Sequence, residues 1–127
     1  MLGTGVASFG HMNGVHIQNA DGWDQYVDSI SRNELPLARA FTTKKSERLI
    51  REMILQLKLG AIETAYFQEK FGKNIVEEFG SAFRKLEEGG MLQIQDNRIE
   101  LTRQGFLRVD QLLPEFYDVK YRNARYT

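Results

Sequence analysis

The sequence contains no cysteine and only two prolines among its 127 residues. The absence of cysteine excludes a disulfide framework, a thiolate nucleophile and an iron–sulfur cluster held by thiolates of this chain. The sequence has 17 lysine and arginine residues and 17 aspartate and glutamate residues, so it lacks the net positive charge that would favour binding to nucleic acid. The longest uncharged stretch, residues 1–20, is interrupted by glycine, asparagine and histidine, which argues against a membrane span or a secretory signal. These absences predict a cytoplasmic protein.

What is present is an ordinary globular composition, with 42% hydrophobic and 27% charged residues. The patterning predicts four segments. Residues 1–20 are rich in glycine and predict a flexible loop with at most one short strand, and residues 21–43 predict a helix and a connector. Residues 44–117 predict a compact domain, and residues 118–127 predict a polar, frayed tail.

The first predicted helix covers residues 22–32, with Asp21 as its N-cap. Its apolar side chains recur at i, i+3, i+4 and i+7, a spacing typical of one buried helix face; they are Trp23, Tyr26, Val27 and Ile30. Pro36 lies in the following stretch, residues 33–43, which we expect to be a connector because the residue before a proline disfavours helix.

Three further helices are predicted over residues 44–59, 63–71 and 74–88. Glycines follow each of them, and Asn74 with Glu77 forms a capping box for the third. Each helix has an apolar stripe: Leu49, Ile50, Met53, Ile54 and Leu57; Phe67 and Phe71; Ile75, Val76, Phe79, Phe83 and Leu86.

The hydrophobic period then changes from 3.6 to 2. Residues 92–95 and 98–101 alternate apolar and polar side chains around the turn pair Asp96–Asn97, which predicts a hairpin. Thr102 caps a last helix whose shared face is Phe106, Val109 and Leu113. Three helices followed by a two-stranded wing predict an α+β, winged-helix-like domain, mainly helical with a small β-hairpin.

Two motifs near the start invite a chemical interpretation. Gly3-Thr4-Gly5 resembles a phosphate-binding loop, but position 8 of a G-x-G-x-x-G pattern is Ser8, and no convincing helix follows. Ser8 as a nucleophile needs an oriented base, and its neighbours do not form a G-x-S-x-G elbow. The favoured interpretation of both motifs is an ordinary polar loop.

His11 and His16 are the only histidines, and they could ligate a metal with Asp21 or Asp24. A spacing of five residues on a glycine-rich segment is not a recognised ligand geometry, and no cysteine adds a ligand. We therefore expect no metal site.

A winged helix often binds DNA through its third helix, where lysine and arginine contact phosphate. Here that helix has a net charge of −2, with Glu77, Glu78, Glu87 and Glu88 against Arg84 and Lys85. The charge favours an interaction module that does not bind nucleic acid.

Most aromatic side chains are expected in the core: Trp23, Tyr26, Phe41, Tyr66, Phe67, Phe71, Phe79, Phe83 and Phe106.

Four segments together resemble a known family, the oxygen-independent coproporphyrinogen III oxidases and their radical S-adenosylmethionine relatives. Residues 2–10 (LGTGVASFG), followed by Gln18-Asn19 and Tyr26-Val27, resemble the end of that family's catalytic barrel. Residues 46–57 (SERLIREMILQL), 86–92 (LEEGGML) and 101–105 (LTRQG) resemble its C-terminal domain.

The resemblance implies an accessory domain, a substrate cover or docking module, of a porphyrin- or haem-metabolising enzyme. Full-length members hold a [4Fe–4S] cluster on a C-x-x-x-C-x-x-C motif and cleave S-adenosylmethionine (SAM); the family also includes haem chaperones and haem-degrading members. Because this sequence lacks cysteine, we expect an excised C-terminal fragment that is inert alone and whose Met1 is not a native initiator. Its partner would be its own catalytic barrel, with a porphyrinogen or haem as ligand.

By resemblance, the barrel segment borders the SAM pocket of the intact protein through Gly3, Gly5, Ala7 and Ser8. A second set would face the substrate propionates: Tyr26, Arg32, Arg39 and Phe41. No catalytic residue and no metal ligand is expected in this chain. The alternative is a stand-alone winged-helix module for protein or DNA interaction, and the parent reading frame discriminates between the two.

Overall fold

The computed structural model describes residues 2–119 and residue 122. The chain divides into two compact units, Met1–Arg48 and Leu49–Thr127, and helix α2 (Lys45–Lys58) contains the boundary. Seven α-helices and two small antiparallel sheets are present in the described residues, which makes the fold mixed α+β. The predicted tail lies, apart from residues 118, 119 and 122, outside the described residues, as does Met1.

The unit Met1–Arg48 contains a three-stranded antiparallel sheet in the order β1-β2-β3 and one helix. The strands are β1 (Phe9–Met12), β2 (Val15–Asn19) and β3 (Leu37–Thr42), and the helix is α1 (Trp23–Ser31). Asn13 and Gly14, both with positive φ, form the two-residue turn between β1 and β2. Asn-Gly is a strong hairpin signal because this turn type requires positive φ twice.

Several sequence predictions for this unit were wrong. Helix α1 has no buried residue, although its spacing predicted a buried face, and Trp23 and Phe41, expected in the core, are 68% and 52% exposed. The expectation of at most one strand before residue 20 fails, because the Asn13–Gly14 turn joins two. The expected connector, residues 33–43, contains β3, which pairs with β2. Helix α1 begins after Gly22 without a side-chain cap, so Asp21 is not its N-cap.

The unit Leu49–Thr127 closes a hydrophobic core of its own. After α2 come β4 (Ala61–Glu63), α3 (Thr64–Phe71), α4 (Ile75–Glu78) and α5 (Gly80–Glu88). The hairpin β5 (Leu92–Gln95) and β6 (Arg98–Leu101) follows, then α6 (Arg103–Leu107), α7 (Val109–Leu112) and a 3₁₀ helix over Leu113–Phe116. The second sheet has the order β4-β6-β5.

The predicted stripes form most of this core. Side chains of α2, α3, α4 and α5 are buried as expected, together with the inward faces of the hairpin: Leu49, Met53, Leu57, Phe67, Phe71, Ile75, Phe83, Leu86, Leu92, Ile99 and Leu101. The cap of α4 is confirmed, because the Asn74 side chain accepts a hydrogen bond from the Val76 amide. The cap of α6 is confirmed as well, because Thr102 accepts from the Gly105 amide.

Four details of this unit differ from the prediction. The third helix is interrupted at Phe79, so α4 and α5 are separate helices. The last helix is three short segments, and Phe106 is half exposed rather than buried. The prediction missed β4, which pairs with β6 over three residues, and it missed Phe116, which is buried against Phe83.

Candidate functional site

A tight loop precedes β1 and contains the residues predicted to border SAM. The side chain of Asn19, which is 5% exposed, donates to the carbonyl oxygens of both Gly3 (3.1 Å) and Gly5 (3.0 Å). The Gly5 amide donates to Ser8 Oγ at 2.9 Å, and the Ser8 amide donates to the Gly5 carbonyl. The sequence analysis named Asn19 only as part of a family resemblance. In the structure it is a buried polar residue at the end of β2, and its two hydrogen bonds hold this loop in place.

Two further features fix the loop. Ala7 has a φ of +56°, a left-handed conformation that is uncommon for a residue with a Cβ, and its amide donates to the Ala20 carbonyl. A Cβ on Gly3 would lie 2.5 Å from the Phe9 carbonyl oxygen, so only glycine fits there. The loop is therefore a defined, hydrogen-bonded turn.

The cofactors implied by the resemblance can be tested against these residues. The loop's amides at positions 5, 7 and 8 already donate within the unit, so these three donors do not bind a SAM molecule in this conformation. A [4Fe–4S] cluster has no thiolate ligand in this chain. In the part of the chain that the structure describes, no group of three or more histidine, aspartate or glutamate side chains could hold a metal ion.

Two of the predicted substrate-facing residues are engaged elsewhere in the unit. The Tyr26 hydroxyl donates to the Thr4 carbonyl at 3.0 Å, which ties α1 to the loop. Arg32, at the end of α1, donates to Glu34 and Asp28, and these hydrogen bonds raise the pKa of its guanidinium. The charge of Arg32 is therefore already matched by two neighbouring carboxylates.

The other two, Arg39 and Phe41, lie on one face of the first sheet. Directly opposed residues of an antiparallel pair share a face, and the register pairs Arg39 with Gln18 and Phe41 with His16. The same register pairs His16 with His11 on β1. We call this surface the His16 face; its residues are Phe9, His11, His16, Gln18, Arg39 and Phe41.

Three rings of the His16 face, those of Phe9, His11 and His16, lie close together. Phe9 stacks on His16 with centroids 5.5 Å apart and planes 20° apart, and the His11 ring lies 6.4 Å from that of His16. Phe9 and Phe41 are 54% and 52% exposed. Sequence reasoning considered the histidines without the strands, and therefore missed that they are cross-strand neighbours.

The unit Leu49–Thr127 contains one polar cluster that the sequence analysis did not find. The Tyr66 hydroxyl donates to Glu52 at 2.6 Å, and Lys70 donates to both Glu52 oxygens and to Tyr66 Oη. Partial burial raises the pKa of Glu52, but the hydrogen bonds from Lys70 and Tyr66 outweigh it and hold the pKa below its ordinary value. The spacing of Tyr66 and Lys70, four residues apart on one helix, was the feature of the sequence that could have predicted this cluster. The cluster joins α2 to α3.

The acidic residues of α4 and α5 are exposed, as expected from their positions off the apolar stripe. Glu78 pairs with Lys73 at 3.4 Å, and Glu87 accepts from the Ile94 amide on β5 at 3.2 Å. This face presents carboxylates to solvent, which opposes contact with phosphates.

None of the helices over the described residues has the length and hydrophobicity that crossing a membrane requires.

Comparison with known proteins gives consistent matches. The family model described as the HemN C-terminal domain matches residues 44–108. The haem chaperone HemW of Bacillus subtilis is 26% identical over 116 residues, covering 91% of this chain and 31% of that protein. An oxygen-independent coproporphyrinogen III oxidase of Helicobacter pylori is 27% identical over 119 residues, covering 91% and 26%.

Among solved structures, coproporphyrinogen III oxidase (HemN) from Escherichia coli, described as a radical SAM enzyme, has the same fold. The TM-score is 0.72 at 17% identity, over 91% of this chain and 27% of that one. The chain thus spans less than a third of the length of these proteins. The matches do not favour the alternative of a stand-alone winged-helix module.

Proposed function

Because the chain belongs to the HemN C-terminal domain family, as its sequence predicted, we propose that it is the accessory domain of a longer radical SAM protein of porphyrin or haem metabolism. In this proposal a catalytic barrel elsewhere in that protein, here called the intact protein, holds the cluster and SAM. The 127 residues supply a docking surface and a cover for the porphyrin and have no chemistry of their own.

The observation that carries the proposal is the exposed apolar surface of Met1–Arg48. Buried residues in the described part of this unit are few and small: Gly10, Asn19, Ala20 and Pro36. The large apolar side chains are exposed instead: Leu2, Phe9, Met12, Trp23, Val27, Ile30, Leu35, Leu37 and Phe41. So many exposed large apolar side chains, in a unit that buries so few, favour an interaction surface. A catalytic barrel that covers it would supply the core that this unit lacks.

The loop before β1 fits the rim of a cofactor pocket. Its backbone is held by Asn19 and Tyr26, and its close turns require Gly3 and tolerate strain at Ala7. Strain retained in a rigid turn is characteristic of ligand-contacting segments. We assign Gly3, Gly5, Ala7 and Ser8 to the wall beside SAM in the intact protein, where they set the shape of the pocket.

The porphyrin is assigned to the His16 face. Arg39 is an exposed guanidinium without a carboxylate on its own strand, and such a group can bond both oxygens of a propionate. Phe41, two residues along β3, offers an apolar ring to the macrocycle. Arg32, already paired with two acids, and Tyr26, bonded to the loop, are better suited to holding α1 in place.

The unit Leu49–Thr127 is proposed to be a winged helix that serves as the cover. The sequence order of its helices, with the β5–β6 hairpin directly after α5 and β4 completing the sheet, supports this assignment. Its closed core makes it a stable module, while the excess of exposed carboxylates over α4 and α5 together favours contact with protein rather than DNA.

Hydrogen exchange on the intact protein and on the separate 127-residue chain tests the proposal. Amides of β1, β2 and β3 should exchange fast in the separate chain and slowly in the intact protein, because the barrel covers their side chains there. Amides of β5 and β6 serve as the control and should be protected equally in both. Equal, slow exchange of β1–β3 in both proteins would contradict the proposal.

A further inference from the structure

The short helix α6 has an outward side that the proposed function does not use. Gly105 is the buried residue of this helix, whereas Arg103, Phe106 and Leu107 are exposed and lie on one side of it, three and four positions apart. Phe106 is 50% exposed and Leu107 is 78% exposed. Two large apolar side chains thus lie in solvent beside a core that is otherwise closed.

The end of α2 extends this apolar surface. A Cβ on Gly60 would lie 3.6 Å from two atoms of the Phe106 ring, so the ring lies over the residue that follows Leu59. An ion pair of 2.9 Å between Lys58 and Asp110 joins the end of α2 to α7. Leu59 itself is 85% exposed. We call this surface the α6 patch; its residues are Leu59, Arg103, Phe106, Leu107 and Arg108.

The charge of the α6 patch is positive. Arg103 and Arg108 are both exposed, and none of the ion pairs among the described residues involves either of them. Helix α6 contains no aspartate or glutamate, and Asp110, which follows it, is already engaged in an ion pair. Each guanidinium can bond both oxygens of a carboxylate, so the patch is complementary to a surface that combines apolar side chains with carboxylates.

The same features disfavour two other occupants. If two copies of the chain met through this patch, each would bring both arginines to the contact, and like charges placed together oppose association. An anionic membrane is recognised by clusters of about four to eight lysines and arginines, and the unpaired arginines of this patch are too few. Arginine and aromatic side chains are instead enriched in protein interfaces and among the residues that dominate their binding energy.

We propose that the α6 patch is a docking site for an acidic segment of another protein. In this assignment Phe106 and Leu107 contact apolar side chains of that segment, and Arg103 and Arg108 bind its carboxylates. The site goes beyond the proposed function: it uses none of the residues assigned to the barrel, SAM or the porphyrin, so each proposal can fail without the other.

Fluorescence anisotropy of two labelled peptides titrated with the intact protein tests the proposal. Both peptides have about 16 residues and place leucine and phenylalanine on one helix face; the remaining positions are glutamate in the first and lysine in the second. At low salt the glutamate peptide should bind about tenfold or more tightly than the lysine peptide. Replacing both arginines, by Arg103→Gln and Arg108→Gln, should remove this preference. Arg84→Gln, at an exposed arginine of α5, is the matched control and should bind as the wild type does.

The apolar contact is tested separately. Leu107→Ser should weaken binding of the glutamate peptide about fivefold or more without disturbing the core, because this side chain is mostly exposed. Absence of binding, equal binding of the two peptides, or an unchanged affinity in every patch variant would overturn the docking site. Binding to vesicles of anionic phospholipid that these variants abolish would overturn the choice of a protein partner. Protection of Phe106 and Leu107 from hydroxyl-radical oxidation in the intact protein would overturn it too, since the barrel would then cover the patch.

Discussion

Replacing Gly105 by alanine should strongly destabilise Leu49–Thr127, although alanine is the better helix former. Gly105 lies buried in α6, and a Cβ there would be 1.8 Å from the Met91 carbonyl oxygen and 2.8 Å from the Met91 carbonyl carbon. Both are backbone atoms, so no side-chain rotation relieves the clash. Helix α6 must therefore move away from residue 91.

The size of the loss follows from what that movement disrupts. Thr102 joins α6 to the end of α5: its amide donates to the Met91 carbonyl at 3.0 Å, its hydroxyl donates to the Gly90 carbonyl at 2.8 Å, and it accepts from Gly105 at 3.1 Å. Overpacking costs about 1–3 kcal/mol, and weakening the two hydrogen bonds from Thr102 to Gly90 and Met91 adds about 1 kcal/mol each. The gain in helix propensity offsets about 1 kcal/mol. We expect a net loss of about 2–4 kcal/mol.

Urea unfolding followed by far-ultraviolet circular dichroism measures this loss, because most helices lie in Leu49–Thr127. Gly80→Ala is the matched control: Gly80 is also helical, and a Cβ there would meet nothing within 4 Å. It should leave the free energy of unfolding unchanged or raise it by up to about 1 kcal/mol. If Gly105→Ala costs no more than Gly80→Ala, the close approach of α6 to residue 91 is refuted.

Three further predictions concern the same unit. Phe83 is fully buried with its ring 4.9 Å from that of Phe116, so Phe83→Ala should cost about 3–5 kcal/mol in the same titration, and a loss near zero would contradict its place in the core. Hydrogen bonds hold the pKa of Glu52 below its ordinary 4.5, so the contribution of its carboxylate to stability is present above pH 4.5 and is lost as the pH falls through the lowered pKa. Glu52→Gln should therefore lower the free energy of unfolding by less than about 1 kcal/mol at pH 7 and by nothing in acid. A difference between variant and wild type that does not change with pH would refute the pairing of Glu52 with Lys70. Duplex DNA titrated at low salt should not bind, because the carboxylates of α4 and α5 are exposed; salt-sensitive micromolar binding would contradict this.

The sequence predicted the Leu49–Thr127 unit well because this unit buries its own apolar stripes. Helix α2, helix α3 and the β5–β6 hairpin each have a period that matches their burial. Breaks inside helices were less accessible: Phe79 has a φ of −110° and separates α4 from α5, although the apolar period continues through it. Likewise, Arg108 interrupts the last helix, so Phe106 does not share a face with Val109.

The Met1–Arg48 unit was predicted poorly for a different physical reason. The stripe of α1 indicated a buried face, but Trp23 is 68% exposed because the described residues of its own unit do not cover it. The Asn13–Gly14 pair was a local signal for the hairpin and was missed. The His16 face depends on strand register, a non-local property, so the sequence named Arg39 and Phe41 in one set with Tyr26 and Arg32 without placing either beside a histidine.

Anaerobic reconstitution with iron and sulfide tests the central claim most directly, that this family member has no radical chemistry of its own and works as part of a longer enzyme. The 127-residue chain and the intact protein are treated in parallel, and cluster absorbance and SAM cleavage are measured in each. We expect the intact protein to form a cluster and to cleave SAM, and the separate chain to do neither, because it contains no cysteine. A stoichiometric cluster with SAM turnover in the separate chain, or neither in the intact protein, would contradict the account.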